Sequence, residues 1–279
     1  MYVADQNLLC AGRDPGHAEL KAIRQADAVI LPQGCRESIY RMAKDNCSHV
    51  FPNYDCRFKF PEKIGQGQLF KKINVPHPQT IAFPDALANR DSEQLLNSPP
   101  LELPLVFKFN WGGEGKTVFL VRDKQDLQHH LQKAKIYAKS GQSGFLLQKF
   151  IPSRGQSLRV VVIHQIYIAY WRIQEKSDDF YTNISKGARL DRDVDPDLQA
   201  AAILATKQFC QKTAVNLAGF DFLFSETDLK HNKIEPLFLE INYFFGRKGL
   251  GGSEKYYKLL QQGIDHWLQS IKLDTSSPT

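Results

Sequence analysis

The chain has 279 residues, of which 42% are hydrophobic, 24% charged and 11% aromatic, and it carries a net charge of +6. At ~150 residues per domain that makes one large or two modest domains, long enough to bury a core without staples. The composition excludes collagen, coiled coil and bulk disorder, and no apolar run approaches the ~18 residues of a membrane-spanning helix.

The opening MYVADQNLLCAGRDPG lacks the basic and apolar regions of a secretion signal. Five cysteines at 10, 35, 47, 56 and 210 show no CxxC spacing, which reads as reduced cytoplasmic thiols rather than a disulfide framework or zinc site. The charge excess suits an anionic ligand and is too small to indicate nucleic acid.

In chain order, the first 60 residues predict a small α/β unit: a helix at 17–26, a buried strand at 27–32, a helix at 35–45 and a strand at 48–51. Prolines punctuate the next stretch, with a short helix at 62–73 and a turn cluster, NSPP, at 97–100 that predicts a hinge. Beyond it, 103–110 and 117–121 read as strands joined by a glycine-rich turn. Asp123 caps a helix with Leu127, Leu131, Ala134 and Ala138 on its apolar face. Strands follow at 145–151, 158–163 and 166–173, the last two forming a hairpin about His164 and Gln165. A proline-started helix spans 196–215, strands lie at 218–224 and 236–242, and a helix capped by Ser253 runs to Ile271 ahead of a frayed tail.

The glycine-rich stretch NWGGEGKT (110–117) invites a P-loop reading. That motif, however, begins with glycine where this chain has Asn110, and it needs a helix after the loop, whereas Val118 to Val121 read as a strand. A glycine-rich hairpin tip can still lay backbone N–H groups over phosphates; an ordinary turn is the plainer alternative. Glu240 and Asn242 share one face of a strand, and Asp221 interrupts another apolar strand. Three hard oxygen donors on adjacent strands suit Mg²⁺. Equally, Asp221 could pair with a structural arginine while Glu240 faces solvent. Lys108, Gln148, Lys149, Arg159, Arg172 and Asn183 complete a basic and amide set.

Taken together, these residues resemble the ATP-grasp superfamily, most closely its RimK-like glutamate ligases and glutathione-synthetase relatives, over residues 60–250. The resemblance begins at EKIGQGQLFKKINVPHPQT, similar to a lysine-containing helix and a proline-flanked strand. It continues through LPLVFKFNWGGEGKTVFLV, FLLQKFIPSRGQSLRVVVI, WRIQEKSDDFYTNISKGA, AGFDFLF and FLEIN. It implies an α/β ATP-grasp fold with a short N-terminal α/β unit (1–60), a linker (61–99), a lid (100–155), a metal and substrate subdomain (156–272) and a flexible tail (273–279).

The resemblance further implies ATP held by Lys63, Lys108, Gly113, Gly115, Arg159 and the hinge residues Gln148, Lys149, Phe150 and Ile151. It implies Mg²⁺ or Mn²⁺ on Asp221, Glu240 and Asn242, catalytic Arg172 and Asn183, and a substrate contact at Lys186. Read from its own residues, the basic, glycine-rich segment 246–257 offers Arg247 and Lys248 to an anionic part of the acceptor or acylphosphate, a mobile solvated loop being the plainer alternative. The implied activity is cytoplasmic ATP-dependent amide formation between a small-molecule or peptide carboxylate and an amine, through an acylphosphate. No nucleic-acid or membrane partner is expected, and a homodimer is left open. A regulatory ATP-binding protein of the same fold is the alternative.

The chain departs from the family at Lys149 and Ser157, where acidic residues are common. It departs also in a longer basic segment after Asn242 and in the short N-terminal unit.

Overall fold

The structure, a computed structural model, describes residues 4–10, 12–113, 115–174, 180 and 187–272. The expected tail at 273–279, with the site expectations Asn183 and Lys186, lies outside the described residues.

The first unit alternates α1 (His17–Gln25), β1 (Val29–Ile30), α2 (Glu37–Asn46) and β2 (Val50–Phe51), the two short strands pairing in parallel. The helices α3 (Asp55–Lys59) and α4 (Glu62–Lys72) follow. An antiparallel sheet is then built from β3 (Thr80–Phe83), β4 (Leu105–Phe109), β5 (Val118–Val121) and β6 (Phe145–Lys149), in the order β3-β6-β4-β5. Its connections carry α5 (Asn89–Asn97) and α6 (Lys124–Lys139). The edge strand β3 comes from upstream of the 97–100 turn cluster. The Asp123 carboxylate accepts from the Asp126 N–H at 2.8 Å, the expected cap. Leu127, Leu131 and Ala134 pack on Leu105, Phe107, Phe109 and Leu147.

A second antiparallel sheet holds β7 (Gln156–Ile163), β8 (Ile166–Ile173), β9 (Arg189–Asp191), β10 (Leu217–Leu223) and β11 (Leu237–Asn242), ordered β11-β10-β7-β8-β9. With it run α7 (Pro196–Thr213), α8 (Glu226–Lys230) and α9 (Ser253–Ser270). Side chains alternate across each strand. Leu158, Val160 and Val162 therefore join Ala202 and Phe209 of α7 on one face. Val161, Ile163, Ile168 and Leu217 join Ile264 and Trp267 of α9 on the other. That second face changes character along the strands. Beyond the reach of α9 it carries Ser157 and Arg159 on β7, Tyr170 and Arg172 on β8, and Asp221 on β10. One side of one sheet is thus half core and half site.

Ser253 does not cap α9. Gly252 takes the cap position at φ +93°, conformational space open to glycine, and Ser253 is the first helical residue. The short elements α3, α5, β9 and α8 were not foreseen. Each has five residues or fewer, except α5, whose polar NRDSEQLLN offers Leu95 and Leu96 as its apolar residues.

Gly263 of α9 lies so close to β7 that an added Cβ would stand 2.6 Å from Ile163 Cγ2. We expect Gly263→Ala to lose about 1–3 kcal/mol in urea unfolding through overpacking. Gly246→Ala, with nothing within 4 Å of the new atom, should unfold like the parent.

Candidate active site

The register of the five-stranded sheet sets Arg159 opposite Asp221 and Asp221 opposite Glu240, with Tyr170 across from Arg159 on the other side. Phe222 pairs with Phe238, so Leu239 is an extra residue on β11 and forms a bulge immediately before Glu240. Bulges re-aim the next side chain.

Asp221 is buried and fully engaged. Arg159 grips it with both arms, Nε to Oδ1 at 2.6 Å and a terminal nitrogen to Oδ2 at 2.7 Å. Arg172 reaches Oδ1 at 3.0 Å, and the Asn242 amide donates to Oδ2 at 3.1 Å. Four donors thus fill the roughly four lone-pair directions of a carboxylate. Arg172 is steadied further by its Nε–H bond to the Ser157 hydroxyl at 3.1 Å. Burial works against the charge on all three ionic groups. For Asp221 the two guanidinia outweigh it, and its pKa falls below the usual carboxylate range. For Arg159 the attraction of Asp221 likewise outweighs burial and raises the pKa, whereas for Arg172 burial prevails and lowers it.

Facing this sheet, a pocket between the two sheets is lined by Lys63, Lys108, Thr80, Leu146, Gln148 and Glu240. Lys108 projects from β4 and is only 7% exposed. Burial pushes its pKa down to about 8, with the Glu240 charge partly opposing. Burial lowers Lys63 too, again against Glu240. The Lys63 ammonium donates to the carbonyls of Trp111 and Gly112 at 2.9 and 2.8 Å, tying α4 to the glycine-rich loop. That loop joins β4 to β5 as a hairpin, so a strand and not a helix follows Thr117, and the P-loop reading is excluded. Gly112 and Gly115 take positive φ, and a Cβ at Gly112 would meet Thr117 at 2.6 Å, while Gly113 is open to its surroundings.

The hinge residues fall at the end of β6. The Gln148 amide donates to the Thr80 hydroxyl at 2.8 Å. The Lys149 N–H is committed to the Gln79 carbonyl, also at 2.8 Å, with its side chain exposed; Phe150 and Ile151 lie just past the strand.

The donor set fits a hard cation shared with phosphate. Among the described residues Glu240, half-buried at the pocket wall, has neither hydrogen bond nor ion pair, and the Asn242 amide oxygen accepts no hydrogen bond. Asp221 offers a ligand only when one of its four donors lets go. No three His, Cys, Asp or Glu side chains converge among the described residues, in keeping with Mg²⁺, which takes one or two carboxylates and completes its shell with phosphate and water. Four cations (Lys63, Lys108, Arg159 and Arg172) face two carboxylates, leaving an excess of positive charge for an anion.

Arg247 and Lys248 sit apart from this cluster. Arg247 lies 4.8 Å over the rings of both Tyr256 and Tyr257 and bonds Ser253 at 3.4 Å. Lys248 is exposed on an open hollow with Arg192 and Asp193. Their segment is nonetheless pinned to the site. A Cβ on Gly249 would stand 2.1 Å from Tyr170, the row neighbour of Arg159, and the Gly249 carbonyl accepts from Arg192 at 2.7 Å. Sequence reasoning missed Tyr170, Ser157 as a tether, Gln66 and Asn110, whose roles depend on partners distant in the chain.

The RimK-like ATP-grasp domain matches residues 62–262. The chain belongs to the RimK-like ATP-grasp family. It is 25% identical over 243 residues to a probable alpha-L-glutamate ligase of Xanthomonas euvesicatoria, covering 85% of this chain and 76% of that protein. It is 30% identical over 196 residues to a probable alpha-L-glutamate ligase of Legionella pneumophila, covering 70% of this chain and 58% of that one. The crystal structure of a RimK domain ATP-grasp protein from Sphaerobacter thermophilus superposes with a TM-score of 0.56 at 15% identity, over 80% of this chain and 74% of that one. The likeness to that structure establishes the ATP-grasp fold.

Lys108 generates a pH prediction. Its pKa of about 8 is set mainly by burial, so it is charged below pH 8 and neutral well above it in the ligand-free protein. A bound polyphosphate favours the charged form. Nucleotide binding near pH 8.5 should therefore take up a proton, seen by calorimetry in buffers of different ionisation enthalpy, and affinity should fall from pH 7.5 to 9.5. Lys108→Met should remove that uptake.

Proposed function

We propose that this member of the RimK-like ATP-grasp family is an ATP-dependent, ADP-forming carboxylate–amine ligase. The observation that carries this reading is the excess of buried positive charge around Glu240 and Asn242, in a pocket between a glycine-rich hairpin and the Arg159–Asp221 sheet. Buried cations in excess of their counter-ions ask for an anion, and lysines, guanidinia, loop amides and carboxylates in one place are the groups that handle a nucleotide triphosphate with its cation.

In this reading ATP lies between the two sheets, its adenine on the 148–151 backbone and its phosphates near Lys63, Lys108 and the Gly113–Gly115 hairpin. Glu240 and Asn242, joined by Asp221 once a guanidinium lets go, would hold Mg²⁺ or Mn²⁺, which when bound neutralises developing phosphate charge. A substrate carboxylate oxygen attacks the γ-phosphorus and ADP leaves, giving an acylphosphate. An amine nitrogen then attacks the acyl carbon, phosphate leaves and the nitrogen gives up a proton, forming an amide. Arg172, with Asn183, would hold the transferred phosphoryl group; no protein nucleophile is required. Closure of residues 100–155 as a lid would keep water from the acylphosphate. The 187–190 and 246–252 segments, with Lys186, Arg247 and Lys248, would meet the substrates. The naming of two relatives as probable glutamate ligases makes L-glutamate the first amine to try, and the setting we propose is the cytoplasm.

The test is ADP release over a matrix of amino acids and short peptides with L-glutamate, with mass spectrometry of the product. Release that requires both partners, with a product lighter by one water than their sum, is the expected result. Release indifferent to both overturns the ligase reading. Glu240→Gln should cut turnover by about a hundredfold or more with the thermal unfolding curve unchanged.

A further inference from the structure

Helix α4 is bonded at its start to the glycine-rich loop and one turn later to the strand that carries Glu240 and Asn242. Its own cap position is Pro61, which supplies no side-chain acceptor. Asn110 of the loop takes over that task. Its carbonyl accepts the Lys63 N–H at 3.3 Å, its side-chain oxygen accepts the Ile64 N–H at 2.9 Å, and its amide nitrogen donates to Glu62. With the Lys63 ammonium on the Trp111 and Gly112 carbonyls, loop and helix start form one unit.

Gln66 then faces β11. Its amide nitrogen donates to the Ile241 carbonyl at 2.9 Å, and the Ile241 N–H donates to its amide oxygen at 2.8 Å. This two-way clasp imitates a neighbouring strand. It falls on the one residue between Glu240 and Asn242, on the open side of an edge strand, directly after the Leu239 bulge has broken the ladder on the other side. An edge N–H and C=O would otherwise bond to water and leave the local backbone free to shift.

We propose that Gln66 is a positioning residue for the cation site. It fixes the backbone at Ile241, and through it the aim of Glu240 and Asn242, and α4 ties that aim to the position of the glycine-rich loop. The inference rests on reading Glu240 and Asn242 as cation ligands. Gln66 also borders the nucleotide pocket, but its oxygen and one N–H are committed to Ile241, which leaves one N–H for anything else. Groups that orient metal ligands in this way typically govern affinity by about 10–100-fold.

The experiment is Mn²⁺ titration of the full chain with ADP, followed by electron paramagnetic resonance, for the parent, Gln66→Met and Glu240→Gln. ADP affinity in EDTA is measured in parallel. Methionine keeps the length of the side chain and removes both hydrogen bonds. The expected result is Mn²⁺ affinity weakened about tenfold in Gln66→Met, with ADP affinity in EDTA within about twofold of the parent. A merely structural role would lower the melting temperature and leave Mn²⁺ affinity alone. That outcome, with Glu240→Gln abolishing Mn²⁺ binding, overturns the role of Gln66 while the cation site stands. An equal loss of ADP affinity in EDTA makes Gln66 a nucleotide contact and also overturns it. Undiminished Mn²⁺ binding by Glu240→Gln removes the cation site itself and the inference with it. Hydrogen exchange on the parent protein needs no variant: the Ile241 amide should be protected although it lies on an edge, and rapid exchange there overturns the clasp.

Discussion

The site is organised around a carboxylate that must not be left unpaired. Asp221 sits in an apolar strand where an isolated charge would be severely penalised, and removing one partner of such a buried set is far more costly than never building it. Arg159 comes from the adjacent strand, Arg172 from the one beyond, and Asn242 from the opposite side. All four side chains must share one face of the sheet at matching register. That requirement fixes the pairing of β8, β7, β10 and β11 at the site, just as α9 fixes it at the other end of the same face through Val161, Ile163 and Leu217. A slip of one residue in any strand would turn charges into the α7 core.

The same arrangement leaves a division of labour. The arginines are bound to protein, the lysines line the pocket, and Glu240 has no hydrogen-bond or ion-pair partner among the described residues. Positive charge is therefore stored where a polyphosphate would lie, and Lys108 bears the cost of desolvation as a depressed pKa. The hairpin loop is held from beneath by Lys63 and Asn110, which adds external ties to the positive φ that its glycines supply.

Much of this was legible in the chain. The strands show as apolar runs bounded by turns, and the residues that interrupt them, Lys108, Gln148, Arg159, Arg172 and Asp221, are those brought to the cleft. Both readings of Asp221 were open, and the structure favours neither alone: it pairs with arginines, while Glu240 lines the pocket rather than facing solvent. What local patterns could not reveal is partnership across distance. Nothing near Gln66 marks it as the clasp on Ile241, and Asn110 looked like no more than a mismatch to a phosphate-loop motif until it was found capping a helix 46 residues upstream of itself. Arg247 suggested an anion contact by its charge, yet its guanidinium lies over two tyrosine rings, a geometry that spacing alone does not disclose.

The unpaired Leu239 has a consequence for how such a protein can change over generations. Because the bulge inserts one residue immediately before Glu240, the phase of β11 differs on its two sides. Loss of a single codon there would close the bulge into regular pairing, leaving Glu240 opposite Asp221 but removing the local kink and added twist that aim Glu240 and Asn242. Replacement of Leu239 by another residue would not. This stretch of the gene can thus drift in letters but not in length, and homologous chains that keep the site should align across it without gaps even where their identity is low.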